Sequence, residues 1–346
     1  GRPQPLPPLG GSLLARALGS RDVAFAVAWR GGPRSAHVLA AASRGIHRAT
    51  SEVLQAVREW CPHALYVCGG NDGSQTLSLA ERFNPVAGRW ETLPHMLVKR
   101  WGAAAAAVAG KLYVCGGDDG RRRLNLVERF DTLSGVWEPL PSMPDGCWGS
   151  VAVAISGSLY VCGGYNGQEY LRSAARLDTA AADCWQGLAP MSQRRLGAVA
   201  AALAGALCVC GGYDGRQRLS SCEAFDPAGG TWSGLPAMLE RRWGAAAAAL
   251  GGKLYVCGGD DGEQRLSSAE LFDPAAGAWR ELPGMAERRW SAAAVAIAGR
   301  LYVCGGYGVR TYLGSVARFD PARGAWEDLP PMPVRRSFVA AAAVRP

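Results

Sequence analysis

An all-β chain assembled from six copies of one four-stranded unit is the fold class this sequence predicts, and three observations predict it. Glycine pairs stand at Gly69-Gly70, Gly116-Gly117, Gly163-Gly164, Gly211-Gly212, Gly258-Gly259 and Gly305-Gly306, in steps of 47, 47, 48, 47 and 47 residues. The tryptophans Trp90, Trp137, Trp185, Trp232, Trp279 and Trp326 keep the same beat. Between these marks the chain offers only short apolar runs bounded by Gly, Pro and Asp, with no room for a helix. A fixed period of this length is the sequence signature of a repeat architecture.

The stretch from Arg242 to Met285 shows the grammar of one unit. Small apolar residues, Trp243 to Leu250, lead to a Gly251-Gly252 turn and form strand a. Lys253-Leu254-Tyr255-Val256-Cys257 is a buried strand b that ends in the glycine pair. After the polar loop Asp260 to Arg265, strand c runs from Ser267 to the turn signal Phe272-Asp273-Pro274. Strand d, Trp279 to Leu282, is broken by Pro283. The alanine runs Ala103 to Ala107 and Ala245 to Ala249 favour helix on intrinsic propensity. Their phase makes them innermost strands instead, where six strands converge and only small side chains fit. Each run also meets a glycine after about seven residues, too few for a stable helix.

With the glycine pair after an aromatic-apolar strand, the polar loop, the Phe-Asp-Pro turn and the tryptophan eight to ten residues later, the chain resembles the kelch family over residues 64 to 344. The resemblance implies a six-bladed kelch β-propeller with one four-stranded blade per repeat. The first repeat has no strand a before Ala64, whereas Ala340 to Val344 reads as a strand a with no blade of its own. The C-terminal strand is therefore expected to complete the first blade and remove the open sheet edges.

Two regions follow: residues 1–60 as a short, partly helical non-repeat segment, and residues 61–346 as the propeller. Ser12 to Leu18 and Thr50 to Trp60 have helical spacing, with Val53, Leu54, Val57 and Trp60 on one face. This region carries eight Arg against three acids, so +5 of the chain's formal +8 lies there. A helical cap or linker is one reading; an F-box-like remnant around Leu14, Leu18, Asp22-Val23 and Trp29-Arg30 is the other. Scattered arginines hardly interleaved with aromatics argue against nucleic acid as a partner. No window of eighteen apolar residues free of charge is present to span a membrane.

Several chemistries find no residues to carry them. Cys68, Cys115, Cys162, Cys210, Cys257 and Cys304 each precede a glycine pair. One per blade, they sit too far apart for disulfides and lack the histidines a metal site would use. They read as small buried thiols, and eleven cysteines without a pairing framework suggest a reducing compartment, the cytoplasm or nucleus. The glycine pairs are flanked by strands, whereas a phosphate-binding loop opens a helix. Neither a Gly-x-Ser-x-Gly elbow nor a His-Glu-x-x-His motif occurs, and four histidines leave little for acid–base work. No cofactor or metal is expected.

Alternating strand direction puts the d-to-a and b-to-c loops on one face of the disc and the a-to-b and c-to-d turns on the other. The first face gathers the candidate contacts Arg100, Trp101, Trp148, Arg195, Arg242, Trp243, Arg289, Trp290 and Arg336 from the d-to-a loops. Tyr165, Tyr213 and Tyr307 come from the b-to-c loops, where other blades place Asn or Asp. Arg, Trp and Tyr are the residues enriched at binding hot spots. The recurrence of one arginine in five of six blades equally fits a scaffold role. Kelch resemblance implies a non-enzymatic module that receives partner peptides on this face, here acidic or mixed in charge. Cullin-type ubiquitin ligase substrate receptors and actin-binding proteins are both found in that family. A metal-free sugar isomerase or mutarotase, working through Arg and Glu in the channel, is the alternative from a different class.

Overall fold

Residues 63–181 and 184–344 are described by the computed structural model. The helical and F-box-like expectations for residues 1–60 lie outside the described residues. His63–Val344 forms one unit of six antiparallel four-stranded sheets, the blades of a propeller. In blade two the strands are Ala104–Val108, Lys111–Cys115, Val127–Asp131 and Val136–Leu140, paired in that order. Blade one takes its strand a from the far end of the chain. Ala340–Val344 pairs antiparallel with Ala64–Cys68, in the register Ala64↔Val344 to Cys68↔Ala340. The closure expected from the orphan alanine strand is thus present.

The alanine runs are strands, each packed on the inner strands of two neighbouring blades. They enclose a channel of about 130 Å³ lined by Ala, Ser and Val from all six blades. At its mouth the inner strands bond to one another through the backbone. The N–H of Gly149 donates to the Gly102 carbonyl, Gly197 to Gly149, Gly244 to Gly197, Ser291 to Gly244, Phe338 to Ser291 and Gly102 to Phe338. These bonds of 2.7–2.9 Å form a closed ring. Every member has positive φ, from 52° at Phe338 to 66° at Gly149, which explains why four of the six are glycine.

Strand b is buried on both sides, so its alternation divides side chains between two inter-blade cores. Leu112 and Val114 pack toward blade one with Tyr66 and Cys68, whereas Tyr113 and Cys115 pack toward blade three with Leu159 and Val161. Nine of the ten described cysteines are buried and all ten are free. Burial pushes the thiols of Cys68, Cys162, Cys257 and Cys304 up to about 12. The strand-d tryptophans repeat because each indole ties its blade to the one before. Trp137 donates to the Pro94 carbonyl at 2.9 Å, Trp279 to Pro236 at 2.8 Å, and Trp90 to Pro330 at 3.0 Å across the closure.

The repeated arginines Arg100, Arg195, Arg242, Arg289 and Arg336 are at most 2 % exposed. Each threads under a glycine pair. Arg242 Nη1 donates to the carbonyls of Gly258 and Ser268 at 2.7 and 3.1 Å, and Nε to Glu270 at 2.6 Å. The other Glu270 oxygen accepts the backbone N–H of Leu239 at 2.8 Å, so one carboxylate holds both guanidinium and loop. Arg100 with Glu128, Arg195 with Glu223 and Arg336 with Glu81 repeat the pair. Glycine is required beside this cradle: a Cβ at Gly211 would lie 2.5 Å from the Arg242 carbonyl oxygen. Blade six keeps the arginine but has Ala317 where blades one, two, four and five carry Glu. Arg289 there leans on Glu287 at 2.8 Å, and its Nε has no partner.

Two outcomes follow from closure and cradle. Deletion from Ser337 onward removes strand a of blade one, and calorimetry should show the cooperative melting transition lost; a truncated chain that melts like the intact one refutes the closure. Ala317→Glu should stabilise the protein by about 1–3 kcal/mol by satisfying Arg289, whereas Glu270→Ala should cost about 3–5 kcal/mol by stranding a buried guanidinium. Urea titration of both variants checks the opposite signs.

Candidate functional site: the loop face

Five of the twelve candidate contacts are corrected by burial. Arg100, Arg195, Arg242, Arg289 and Arg336 lie beneath the loop face, engaged by glutamates and carbonyls, and present no guanidinium to a partner. Successive residues in an extended loop point opposite ways. The exposed members are therefore the residues one position earlier: Lys99, Arg194, Arg241, Arg288 and Arg335.

The tryptophans form the floor of the face. Trp101, Trp148, Trp243 and Trp290 are half-buried at the channel mouth. Trp101 and Trp148 lie 5.0 Å apart between ring centroids, and Trp243 and Trp290 lie 4.8 Å apart. Phe338 joins both pairs, at 4.9 Å from Trp101 and 4.8 Å from Trp290. Blade one carries Ser337-Phe338 where four blades carry Trp-Gly or Trp-Ser and blade four carries Leu196-Gly197, so its bulk sits one residue later and fills the space between the pairs. The aromatics thus cap the narrow channel, and none of the residues that line it is titratable. The pairs Arg195–Glu223 and Arg242–Glu270 are buried within the blades and do not line the channel.

Around this floor runs a belt built by the b-to-c loops. The first residue of each loop bridges both to the start of strand a and to the residue five positions on, as Tyr213 does with Leu196 and Arg218. Asp72, Asp119, Asn166, Asp214 and Asp261 shape the loops by accepting nearby backbone N–H groups. The Arg122 N–H holds the Asp119 carboxyl below its ordinary value. These are Asx turns, and the charge is spent locally. Tyr165, Tyr213 and Tyr307 are half-buried and flanked by the fifth-position residues. Arg123 lies over the Tyr165 ring at 5.6 Å, Arg218 over Tyr213 at 5.3 Å and Arg265 over Tyr307 at 4.3 Å, all in cation–π range. Arg218 also reaches Asp260 of the next blade at 3.1 Å. Tyr170, which packs on Tyr213 at 5.4 Å, Arg218 and Arg265 were not among the candidates; their constant five-residue offset from the first loop residue was the signal.

The face therefore presents an aromatic floor, an Arg–Tyr belt and an exposed rim of Lys99, Arg194, Arg241, Arg288 and Arg335. Arg121, Arg122, Arg216 and Arg310 stand exposed in the loops as well. Among the described residues no group of three or more His, Cys, Asp or Glu is placed to hold a metal ion.

The KLHDC2/KLHL20/DRC7 Kelch-repeats domain profile matches residues 56–241, and the Kelch motif matches residues 241–286 and 288–333. No curated protein matches the chain. Matched along most of its length and folded into the six blades that the repeat implies, the chain belongs to the kelch-repeat family of β-propellers.

Proposed function

We propose that this propeller is a non-enzymatic interaction module that holds an acidic or mixed-charge peptide on its loop face. A kelch propeller implies a protein-interaction module; the choice of face and ligand is supported by one observation above all. The side chains that break the sixfold pattern, Tyr165, Tyr213 and Tyr307, cluster with cation–π arginines on the loop face, inside a rim of exposed basic residues. The rim attracts carboxylates, and the half-buried rings give rigid contact area at low entropic cost. Trp101, Trp148, Trp243 and Trp290 supply the floor against which a peptide packs. Within the family, a substrate receptor of a cullin-type ubiquitin ligase is the role we favour, and actin binding is the second. The free thiols of the described residues suit a reducing compartment such as the cytoplasm.

The test compares captured partners. Tyr165→Ala, Tyr213→Ala and Tyr307→Ala should leave melting nearly unchanged while each weakens partner binding by ~1–3 kcal/mol. Ala228→Arg and Ala275→Arg, on the c-to-d turns of the opposite face, should bind as the parent does. Affinity capture with mass spectrometry, followed by calorimetry on the recovered partner, reads both sets. A cullin scaffold among the captured proteins supports the ligase role, and actin supports the cytoskeletal one. Binding abolished by the arginine substitutions and untouched by the tyrosine ones places the partner on the other face and sinks the assignment.

A further inference from the structure

Blade three alone lacks the buried arginine, and a cavity of about 260 Å³ opens where it would lie. Position by position this cavity matches the groove of blade five. Asp145, Cys147, Ser173 and Ala175 line it where Glu240, Arg242, Ser268 and Glu270 line the other. Arginine and its glutamate are missing together: Cys147 replaces the first and Ala175 the second. Pro144 stands where Leu97, Ser192 and Leu239 give that glutamate their N–H.

What remains is the acceptor set for a guanidinium. In blades four to six the arginine Nη1 donates to the carbonyls at the positions of Gly163 and Ser173. Its Nη2 donates to the hydroxyl at the position of Ser173. In blades five and six Nη2 also meets a carboxylate, Glu240 or Glu287, at the position of Asp145. In blade six that carboxylate is the only one holding Arg289, so the pair on strand c is dispensable for binding a guanidinium. Charge agrees with this reading. Blades two, four, five, six and one carry Lys or Arg immediately before the buried arginine, but blade three has Gly146, and no cation guards the mouth from that position. Pro144, Asp145 and Gly187 are exposed there, and the outer strand Trp185–Gly187 is three residues long against five in the other blades. The cavity continues past Asp145 into a groove that holds Tyr170 and leads to the loop face, where Arg194 is already engaged by Glu169.

We propose that the blade-three cavity is a guanidinium subsite, which takes in trans, from an arginine side chain of a bound peptide, the group that five other blades supply in cis. Planar, forked donors suit the acceptor set, whereas a compact ammonium would satisfy fewer of the acceptors. At 260 Å³ the cavity falls below the ~300–1,000 Å³ of drug-sized ligand pockets and accommodates one side chain. The affinity for a guanidinium stands by itself; only the assignment of that group to a peptide rests on the loop-face reading.

Titration of the whole chain with ethylguanidine and with acetyl-arginine amide, followed by amide chemical shifts, tests the subsite without any partner. Saturable shifts at Cys147, Gly163 and Ser173 are expected, with ethylammonium binding at least about tenfold more weakly. Asp145→Asn should weaken ethylguanidine by about tenfold. The double substitution Cys147→Arg with Ala175→Glu restores the pattern of the other blades and should abolish binding. Cys147→Met, which fills the cavity with an apolar side chain, gives the same reading should the double variant not fold. Absence of saturable shifts in the parent, or binding that survives the filled cavity, overturns the subsite. Neither result bears on the tyrosine substitutions, so the loop-face reading fails or stands separately.

Discussion

Six inner strands approach one axis closely enough for their backbones to bond, and the rest of the molecule is arranged around that approach. Alanine, serine and valine line the channel there, and runs such as Ala104–Val108 form strands despite their helical propensity. Tertiary crowding overrides a preference worth a fraction of a kcal/mol per residue. The same crowding leaves a channel of about 130 Å³ lined by no titratable side chain, while the tryptophans, tyrosines and exposed arginines lie along the loops. The loops are where this scaffold tolerates residues whose identity the fold does not dictate.

A second constraint explains the basic pairs. A guanidinium taken out of water costs several kcal/mol unless its donors are met. Five blades meet them with carbonyls that flank strands b and c and, in four of these, a strand-c glutamate. The glutamate's second oxygen in three of these takes a loop N–H, so one carboxylate fixes where the d-to-a loop lies. In those three blades the position of the d-to-a loop therefore rests on a buried pair. Blade six shows the cradle half-equipped, with the Nε of Arg289 left over, and blade three shows it without arginine or glutamate.

The architecture was legible because it is written in short, local signals. Leu-Tyr-Val-Cys-Gly-Gly announces strand b and its turn, the spaced tryptophans count the blades, and Ala340 to Val344 declares a strand without a sheet. The site was legible only in outline. The placement of the d-to-a and b-to-c loops on one face followed from strand alternation, but Arg195 was indistinguishable from Arg194, since adjacent residues differ only in the side to which they point. The deciding partner, Glu223, lies 28 residues away. The same spacing relates Arg100 to Glu128 and Arg242 to Glu270, and the joint loss of both at Cys147 and Ala175 was present in the sequence as a broken correlation. Tyr170 and Arg218 were marked only by their five-residue offset from the first loop residue, because their contacts are made with the next blade.

The head-to-tail direction of the inner ring has a last consequence. A helix leaves four donors bare at one end and four acceptors at the other, and it frays from both. In the ring that passes through Gly102, Gly149, Gly197, Gly244, Ser291 and Phe338, every N–H and every carbonyl is followed by another, so no position is first or last. Such a circuit cannot unzip from an end. It must be cut, and a cut anywhere exposes a donor on one blade and an acceptor on its neighbour at once, which binds the six blades into a single event of opening.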